Sequence, residues 1–393
     1  MYIHNLHADW TKHPFLRKRF LVKSPEDIRK IVGLEIDEID IDTDKGLDVE
    51  IVTVEPPPPA AEPISATPEK RERRGKAKIV PPEKISLRNE LTRARAIYGE
   101  ASSVVKGLLV DARLGRQIEL EKIQPTVMAI TSSVLRNPDA MASLFRMKQA
   151  DKFTFQHSVA VATLLITFGR VLNLDREVIE QIAIGGLLHD IGKVKIPDYI
   201  LNKPGKLTES EYALMKKHVE HGENLLESAS GLTRIALDVV AQHHERLDGT
   251  GYPRRLRGSE LSIYGQMAAI VDAYDTMTSD CVYQRNKEPT EALQLLMEKS
   301  NRHFEPELIQ RFVRGIGIYP VGSLVRLERE ILAVVIEQRR EDLLRPKIRT
   351  IFSIKDESFV SPEDIDLSGP DNTDRIVGFE SPFRWKIDPR RFL

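Results

Sequence analysis

Between about residues 138 and 320, apolar side chains return at helical spacing. Val161, Leu164, Leu165 and Phe168 fall on one stripe, and Ile235, Val239 and Val240 on another. This is the signature of helices that bury one face. The most apolar stretch, Val159 to Leu172, contains Thr163, Thr167 and Arg170. It reads as a buried helix, because a membrane span needs about 18 or more largely apolar residues in a row. Thr208 followed by Glu211 makes a capping box that starts a further helix. Pro197, Pro204-Gly205 and the run Gly249 to Pro253 mark the joins between helices. After Gly322 the period falls to two: Leu332, Val334 and Ile336 alternate with Ala333 and Val335. Residues 323–338 are therefore expected to form a β-hairpin, and 349–354 a third strand. The tail from Asp366 is too polar to assign.

Upstream, residues 86–137 carry helical periodicity and are expected to be connector helices. The first 55 residues mix short alternating runs with helical spacing, and Lys45-Gly46 looks like a turn between short strands. Between these regions lie Pro56 to Pro59 and a run rich in Pro, Ala, Glu and Arg. Such a segment holds too little apolar surface to order itself. The expected organisation is multidomain and mainly α. A small α+β domain occupies 1–55, a disordered linker 56–85, connector helices 86–137 and a helical bundle 138–320. A β-hairpin extension with a tail follows over 321–393.

Composition narrows the functional classes. The chain has 58 basic and 59 acidic residues, a formal net charge of −1. That balance gives no electrostatic footprint for a nucleic-acid polymer, though a local pocket for a small phosphate ligand stays open. The single cysteine, Cys281, rules out an internal disulfide framework and fits a reducing compartment. The opening residues lack the layout of a signal peptide. A cytoplasmic protein without a membrane span is expected.

The histidines change the picture most. His157, His189, His218, His221, His243 and His244 share one helical stretch with Asp190 and Asp272. A single histidine on an apolar face is usually a packed core residue, but packing gives a poor account of the whole set. Facing helices of a bundle are a common place for metal sites. Mixed imidazole and carboxylate donors suit iron, manganese, zinc or nickel better than calcium or magnesium. The run His189-Asp190-Ile191-Gly192-Lys193 places an imidazole, a carboxylate and a cation at a helix end, where Gly192 is expected to break the helix. Adjacent His243 and His244 would point about 100° apart within a helix, so both serve one centre only near a helix end. His221 is expected behind the site or in solvent. His4, His7, His13 and His303 receive no role.

Five segments carry a resemblance. They are His157-Ser158, then His189-Asp190-Ile191-Gly192-Lys193 with Ile196-Pro197, then Lys217-His218, then HHERLDGTGYP over 243–253, and Val271-Asp272-Ala273-Tyr274-Asp275. Over roughly 139–320 the chain resembles the HD-GYP subgroup of the HD phosphohydrolase superfamily. The resemblance implies an HD-type helical bundle holding two divalent metal ions, iron first and manganese as the alternative. His157, His189, Asp190 and Asp272 would hold one ion. His218, His243 and His244 would hold the other, with Asp190 bridging. Some members bind a third metal through a Glu one turn before the first histidine; Phe153 stands there, so two ions are expected. The implied reaction is hydrolysis of cyclic di-GMP to linear pGpG by water activated between the metals, with GMP after a second cut. Asp190 and Lys193 would be catalytic. Lys193, Gly249, Gly251, Tyr252 and Arg285 would lie on the substrate side. The loop 248–253 would contact diguanylate cyclases or other signalling proteins, and an oligomer is left open.

One departure tempers the resemblance. Many members carry an Arg-Pro-Tyr-Arg or Arg-Pro-Tyr-Lys segment after the last aspartate motif. Here it reads Cys281-Val282-Tyr283-Gln284, leaving Arg285 or Lys287 to replace the lost cations. The alternatives are hydrolysis of another cyclic dinucleotide such as cyclic GMP-AMP, or a cyclic-dinucleotide receptor or cyclase-docking module with negligible turnover. At the N-terminus, Tyr2-Ile3, Trp10, His13-Pro14-Phe15 and Asp42 with Lys45-Gly46 resemble the uncharacterised domain that often precedes HD-GYP.

Overall fold

The computed structural model describes residues 2–5, 20–22, 40–41, 85–145, 153–227, 229, 231–279, 287–370 and 372–393. The chain divides into two compact units, Met1–Ala77 and Lys78–Leu393. In the first, β1 (Tyr2–Asn5), β2 (Phe20–Leu21) and β3 (Asp40–Ile41) form an antiparallel sheet in the order β2-β1-β3. The expected Lys45-Gly46 turn and, apart from Ile85, the expected linker lie outside the described residues. So do Cys281, Gln284 and Arg285.

The second unit begins with α1 (Leu87–Arg113), α2 (Gln124–Arg136) and α3 (Pro138–Phe145). Ser86 caps α1 by accepting from the Asn89 backbone N–H. The side chains of α1 and α2 meet at a buried carboxylate. Glu90 accepts from Ser133 Oγ at 2.8 Å and from the Arg136 guanidinium at 2.8 and 2.7 Å.

The bundle proper contains α4 (Phe153–Val171), α5 (Arg176–Leu188), α6 (Asp198–Leu201), α7 (Glu209–Lys216), α8 (His218–Leu226) and α9 (Arg234–Gln242). It is completed by α10 (Ile263–Thr278), α11 (Pro289–Glu298) and α12 (Pro306–Ile316). Helix α4 is buried on two faces. Val161, Leu165 and Phe168 pack with Ile182, Val239, Val271 and Phe312. Val159, Ala162 and Ile166 join the core of the connector helices with Val105, Ile130 and Met141. This double burial explains why the run from Val159 is apolar almost all round. At the start of α7 the capping box forms: Glu211 N–H donates to Thr208 Oγ1, and Thr208 N–H donates to Glu211 Oε2 at 2.7 Å. Among the described residues no helix is long and apolar enough to cross a membrane.

The C-terminal part is larger than the pattern indicated. β4 (Leu324–Leu327), β5 (Ile331–Glu337) and β6 (Lys347–Ser353) are the expected hairpin and third strand. β7 (Ser358–Asp366) and β8 (Ile376–Phe379) extend them to an antiparallel sheet in the order β7-β6-β5-β4-β8. Both added strands lie at the edges; β7 stays largely exposed and loses the apolar alternation, whereas β8 is a short apolar run whose Ile376 and Phe379 pack on the sheet core. Arg349 of β6 grips Asp364 of β7 through two hydrogen bonds, at 2.5 and 2.9 Å. The short helix α13 (Pro382–Trp385) follows, and Trp385 and Phe392 pack on one sheet face with Leu324, Leu332 and Val334. The molecule is thus multidomain and mainly helical, with a C-terminal antiparallel sheet.

Candidate metal centre

Five elements bring the histidines and aspartates together. Helix α5 stops at Leu188, and His189 is its cap; the chain turns at Asp190 (φ −101°, ψ 8°) into a 3₁₀ turn over Ile191–Lys195. Gly192 therefore does not end the helix, as the pattern indicated, because the helix has already ended. Its role is close approach. A Cβ there would stand 1.9 Å from the His218 carbonyl oxygen and 2.4 Å from Gly222 N. Only glycine lets this turn lie against α8, which seats Asp190 beside His218. His243 caps α9 and His244 follows in the next turn, so the two adjacent rings escape the 100° divergence and lie 4.2 Å apart.

The rings are held in one tautomer. Nδ1–H of His189 donates to the Gly186 carbonyl at 2.8 Å, that of His218 to Met215 at 2.7 Å and that of His243 to Val240 at 2.7 Å. A carbonyl only accepts, so each Nδ1 carries the proton. Each Nε2 then turns its lone pair inward, the orientation a metal ligand needs. In His157 the same job is done by a carboxylate: Nδ1–H donates to Asp275 Oδ2 at 2.6 Å.

The inward atoms fall around Asp190. Its Oδ2 lies 3.3 Å from His189 Nε2 and 3.7 Å from His157 Nε2. Its Oδ1 lies 3.4 Å from His218 Nε2 and 4.0 Å from His243 Nε2. Asp272 Oδ1 approaches His157 Nε2 at 3.1 Å, and its Oδ2 approaches His244 Nδ1 at 3.6 Å. Three groups result: His157 with His189 and Asp272; His189 with Asp190 and His243; and His218 with His243 and His244. In each, the candidate ligand atoms lie within 4.8 Å of one another. All seven residues singled out as ligands join this cluster. His221 stays outside it, and His303 sits instead beside Asp248 at 3.7 Å. Only His244 is appreciably open, with 20% of its side chain exposed.

Burial and charge set the protonation. Burial pushes His243 down to about 3 and His218 down to about 4, and drives His244 well below the usual histidine range. Burial would raise Asp190, but the adjoining His189 ring and the Lys193 ammonium hold it well below the ordinary carboxylate range. Burial would raise Asp272 too, yet the hydrogen bond from the charged His157 ring keeps it well below the ordinary carboxylate range. Burial alone would lower His157; Asp272 and Asp275 overcome it and raise the ring to about 9. Near neutral pH the centre therefore combines ionised carboxylates and a protonated His157, whose Nε2–H meets Asp272, with the neutral imidazoles of His218, His243 and His244, whose lone pairs converge; a metal ion would displace the His157 Nε2 proton. Buried acceptors facing one another without a donor are costly, and a divalent ion between them removes that cost. The donor set fits such an ion.

Two buried carboxylates within the quoted motifs carry roles that the sequence alone does not assign. Asp275, one turn after Asp272 on α10, orients His157; the i, i+3 spacing of two aspartates on one helix was the available signal. Glu245, fully buried, accepts backbone N–H bonds from Arg254 at 2.7 Å, Arg255 at 3.0 Å and Leu256 at 3.1 Å. It pins the loop 248–257 onto the end of the His243–His244 turn. Gly251 makes that possible, since a Cβ there would meet Glu245 Cα at 2.5 Å.

On the open side, Lys193 Nζ donates to Asp190 Oδ2 at 2.6 Å and remains about a quarter exposed. The Tyr252 ring lies 4.6 Å from that of His244, tilted by 30°. Gly249, at φ +75°, shapes the turn before it. Arg285 lies outside the described residues.

Residues 140–308 match the family model of the HD domain, and residues 1–123 match a domain of unknown function, DUF3391. A cyclic di-GMP phosphodiesterase of Pseudomonas aeruginosa is 38% identical over 98% of this chain and 91% of its own length. A cyclic di-GMP phosphodiesterase of Thermotoga maritima is 33% identical over 49% of each chain. A 3′3′-cGAMP-specific phosphodiesterase of Vibrio cholerae is 44% identical over 31% of this chain and 24% of its own. A relative matched from end to end, together with the HD motifs gathered in one centre, leads to one conclusion: the chain belongs to the HD-domain family, in its HD-GYP group, with a DUF3391 domain ahead of the HD domain.

Proposed function

We infer that this protein is a metal-dependent phosphodiesterase that opens cyclic di-GMP to linear pGpG and so lowers the level of that second messenger. The observation that carries the reading is Asp190, which turns one carboxylate oxygen toward each of two histidine groups. One divalent ion is assigned to His157, His189, Asp190 and Asp272, and a second to Asp190, His218, His243 and His244. Bound there, the ions supply Lewis acidity and an activated water. The nitrogen-rich mixed set favours iron, with manganese as the alternative.

The chain's own groups do the rest. The Nδ1 hydrogen bonds keep three rings from rotating, and Asp275 does the same for His157. Lys193 stands on Asp190 at the open side, where its ammonium meets negative charge that grows on the phosphate. A linear product with a 5′-phosphate requires breakage of the P–O3′ bond; a second cut would yield GMP. We place catalysis within 138–320, a regulatory or partner-binding role in the N-terminal domain, and the reaction in the cytoplasm. The exposed loop residues Arg254, Arg255 and Arg257 are the candidate contact with a cyclase.

The test is hydrolysis of cyclic di-GMP by protein purified without oxygen and loaded with Fe(II) or Mn(II), with metal content measured on the same sample. Linear product with about two ions per chain supports the reading. A fully metallated protein that binds cyclic di-GMP without cleaving it replaces the reading with a receptor. Cleavage of cyclic GMP-AMP alone would reassign the substrate.

A further inference from the structure

Helix α7 presents two side chains that hydrolysis at the metals does not use. Tyr212 and Lys216 are one turn apart and share a face. The capping box fixes the start of the helix, and only Lys217 separates its end from His218. The pair is therefore rigidly tied to the metal centre. Tyr212 is 48% exposed. Its ring meets the Tyr252 ring edge to face at 6.4 Å and 82°, and Tyr252 in turn covers His244. Lys216 Nζ lies 5.1 Å from the centre of the Tyr212 ring and 5.9 Å from that of Tyr252. Neither tyrosine belongs to a hydrophobic core among the described residues, so packing does not account for them.

A cyclic dinucleotide has two phosphates and two bases, and only one phosphate can lie on the metals at a time. The remaining half needs its own contacts. The usual pair of cations is missing from this chain, with Cys281 and Gln284 in those positions. We propose that Tyr212 and Lys216 form a substrate subsite beside Tyr252: the Tyr212 ring stacks on a purine, and the Lys216 ammonium meets the phosphate that is not being cleaved. The proposal rests on the cyclic di-GMP reading and deepens it. Stacking reads a π-face rather than a hydrogen-bond pattern, so this subsite holds guanine and adenine alike and does not choose between cyclic di-GMP and cyclic GMP-AMP.

Metal-loaded full-length protein with Tyr212→Ala should raise KM for cyclic di-GMP by roughly 5- to 100-fold, with kcat lowered far less. The same factor is expected with cyclic GMP-AMP. Tyr212→Trp should restore KM, whereas Tyr212→Leu, apolar but unable to stack in this way, should not. Lys216→Ala should raise KM by a factor that shrinks as salt increases. Unchanged KM in Tyr212→Ala, full rescue by Leu, or a fall in kcat alone overturns the subsite. Calorimetric titration of cyclic di-GMP separates the two readings. If the parent binds but does not cleave, the hydrolase reading fails, and the subsite still stands or falls on whether Tyr212→Ala weakens binding. A parent that neither binds nor cleaves overturns both.

Discussion

Two of the buried polar clusters in the helical body differ in one respect. At the junction of α1 and α2, Glu90 is met on both oxygens by Ser133 and Arg136. Every strong acceptor there has a donor, and the cluster is complete. At the metal centre, five imidazoles and two carboxylates converge, and several acceptor atoms face one another with no proton between them. The first cluster ties two helices together. The second would only destabilise the fold if nothing bound there. Burial of polar groups is common to both; the unmet acceptors mark the functional one.

The contrast is broken most severely at Asp190. Asp190→Ala removes the group shared by both histidine sets. Hydrolysis should fall by on the order of 10³-fold or more and metal per chain should drop, as read by product chromatography and elemental analysis. Chelation should act on the same cluster alone. If the ions are present at about 100 times their Kd, stripping them removes about 2.7 kcal/mol of stability per ion, visible as a lower unfolding midpoint. Glu90→Gln should show no change in that chelator response.

Asp275→Asn tests whether the hydrogen bond behind His157 matters. Metal affinity should weaken by about 10- to 100-fold in a Mn(II) titration, while saturating metal restores most turnover. Glu90→Gln is the counterpart in the complete cluster. It should cost about 1.5–3 kcal/mol of stability with metal content unaltered. Burial alone would raise the Glu90 carboxyl, but the Arg136 and Ser133 hydrogen bonds hold it below its ordinary value. A group lowered on folding stabilises above its unfolded pKa and loses that contribution as pH falls through its folded value. The gap between wild type and Glu90→Gln should therefore narrow as the solution is taken below the ordinary glutamate range of about pH 4.3. Smallest of all, Thr208→Ala should cost about 1 kcal/mol through the lost cap of α7, as measured by thermal unfolding.

Legibility followed the physical origin of each feature. The stripe on α4 was plain because burial on two sides leaves almost no polar positions. The capping box of α7 was plain because its partners are three residues apart. Strand β7 is hidden because an exposed edge strand needs no apolar face, and it is recognisable only once Arg349 is seen to hold Asp364; β8 is hidden because four residues, Ile376–Phe379, are too short to show a period within a polar tail. Gly192 was misjudged because a glycine after a histidine-aspartate pair looks like a helix stop, whereas its real constraint is the His218 carbonyl from a distant helix. Tyr212 gave no sign, since an exposed tyrosine on an amphipathic helix has no distinguishing pattern.

Residue type and order by themselves determined the chemistry: six imidazoles and two carboxylates at these spacings, one cysteine, near-zero net charge and no apolar run fit for a membrane. These are properties of composition and local pattern, and they do not depend on how the helices pack. The tertiary structure alone decided which carboxylate is shared and which merely orients a ring. It also decided which oxygen of Asp190 faces which histidines, and that Tyr252 covers His244 beside Tyr212. Those outcomes turn on ångström distances between elements far apart in the chain, which packing sets and periodicity does not encode.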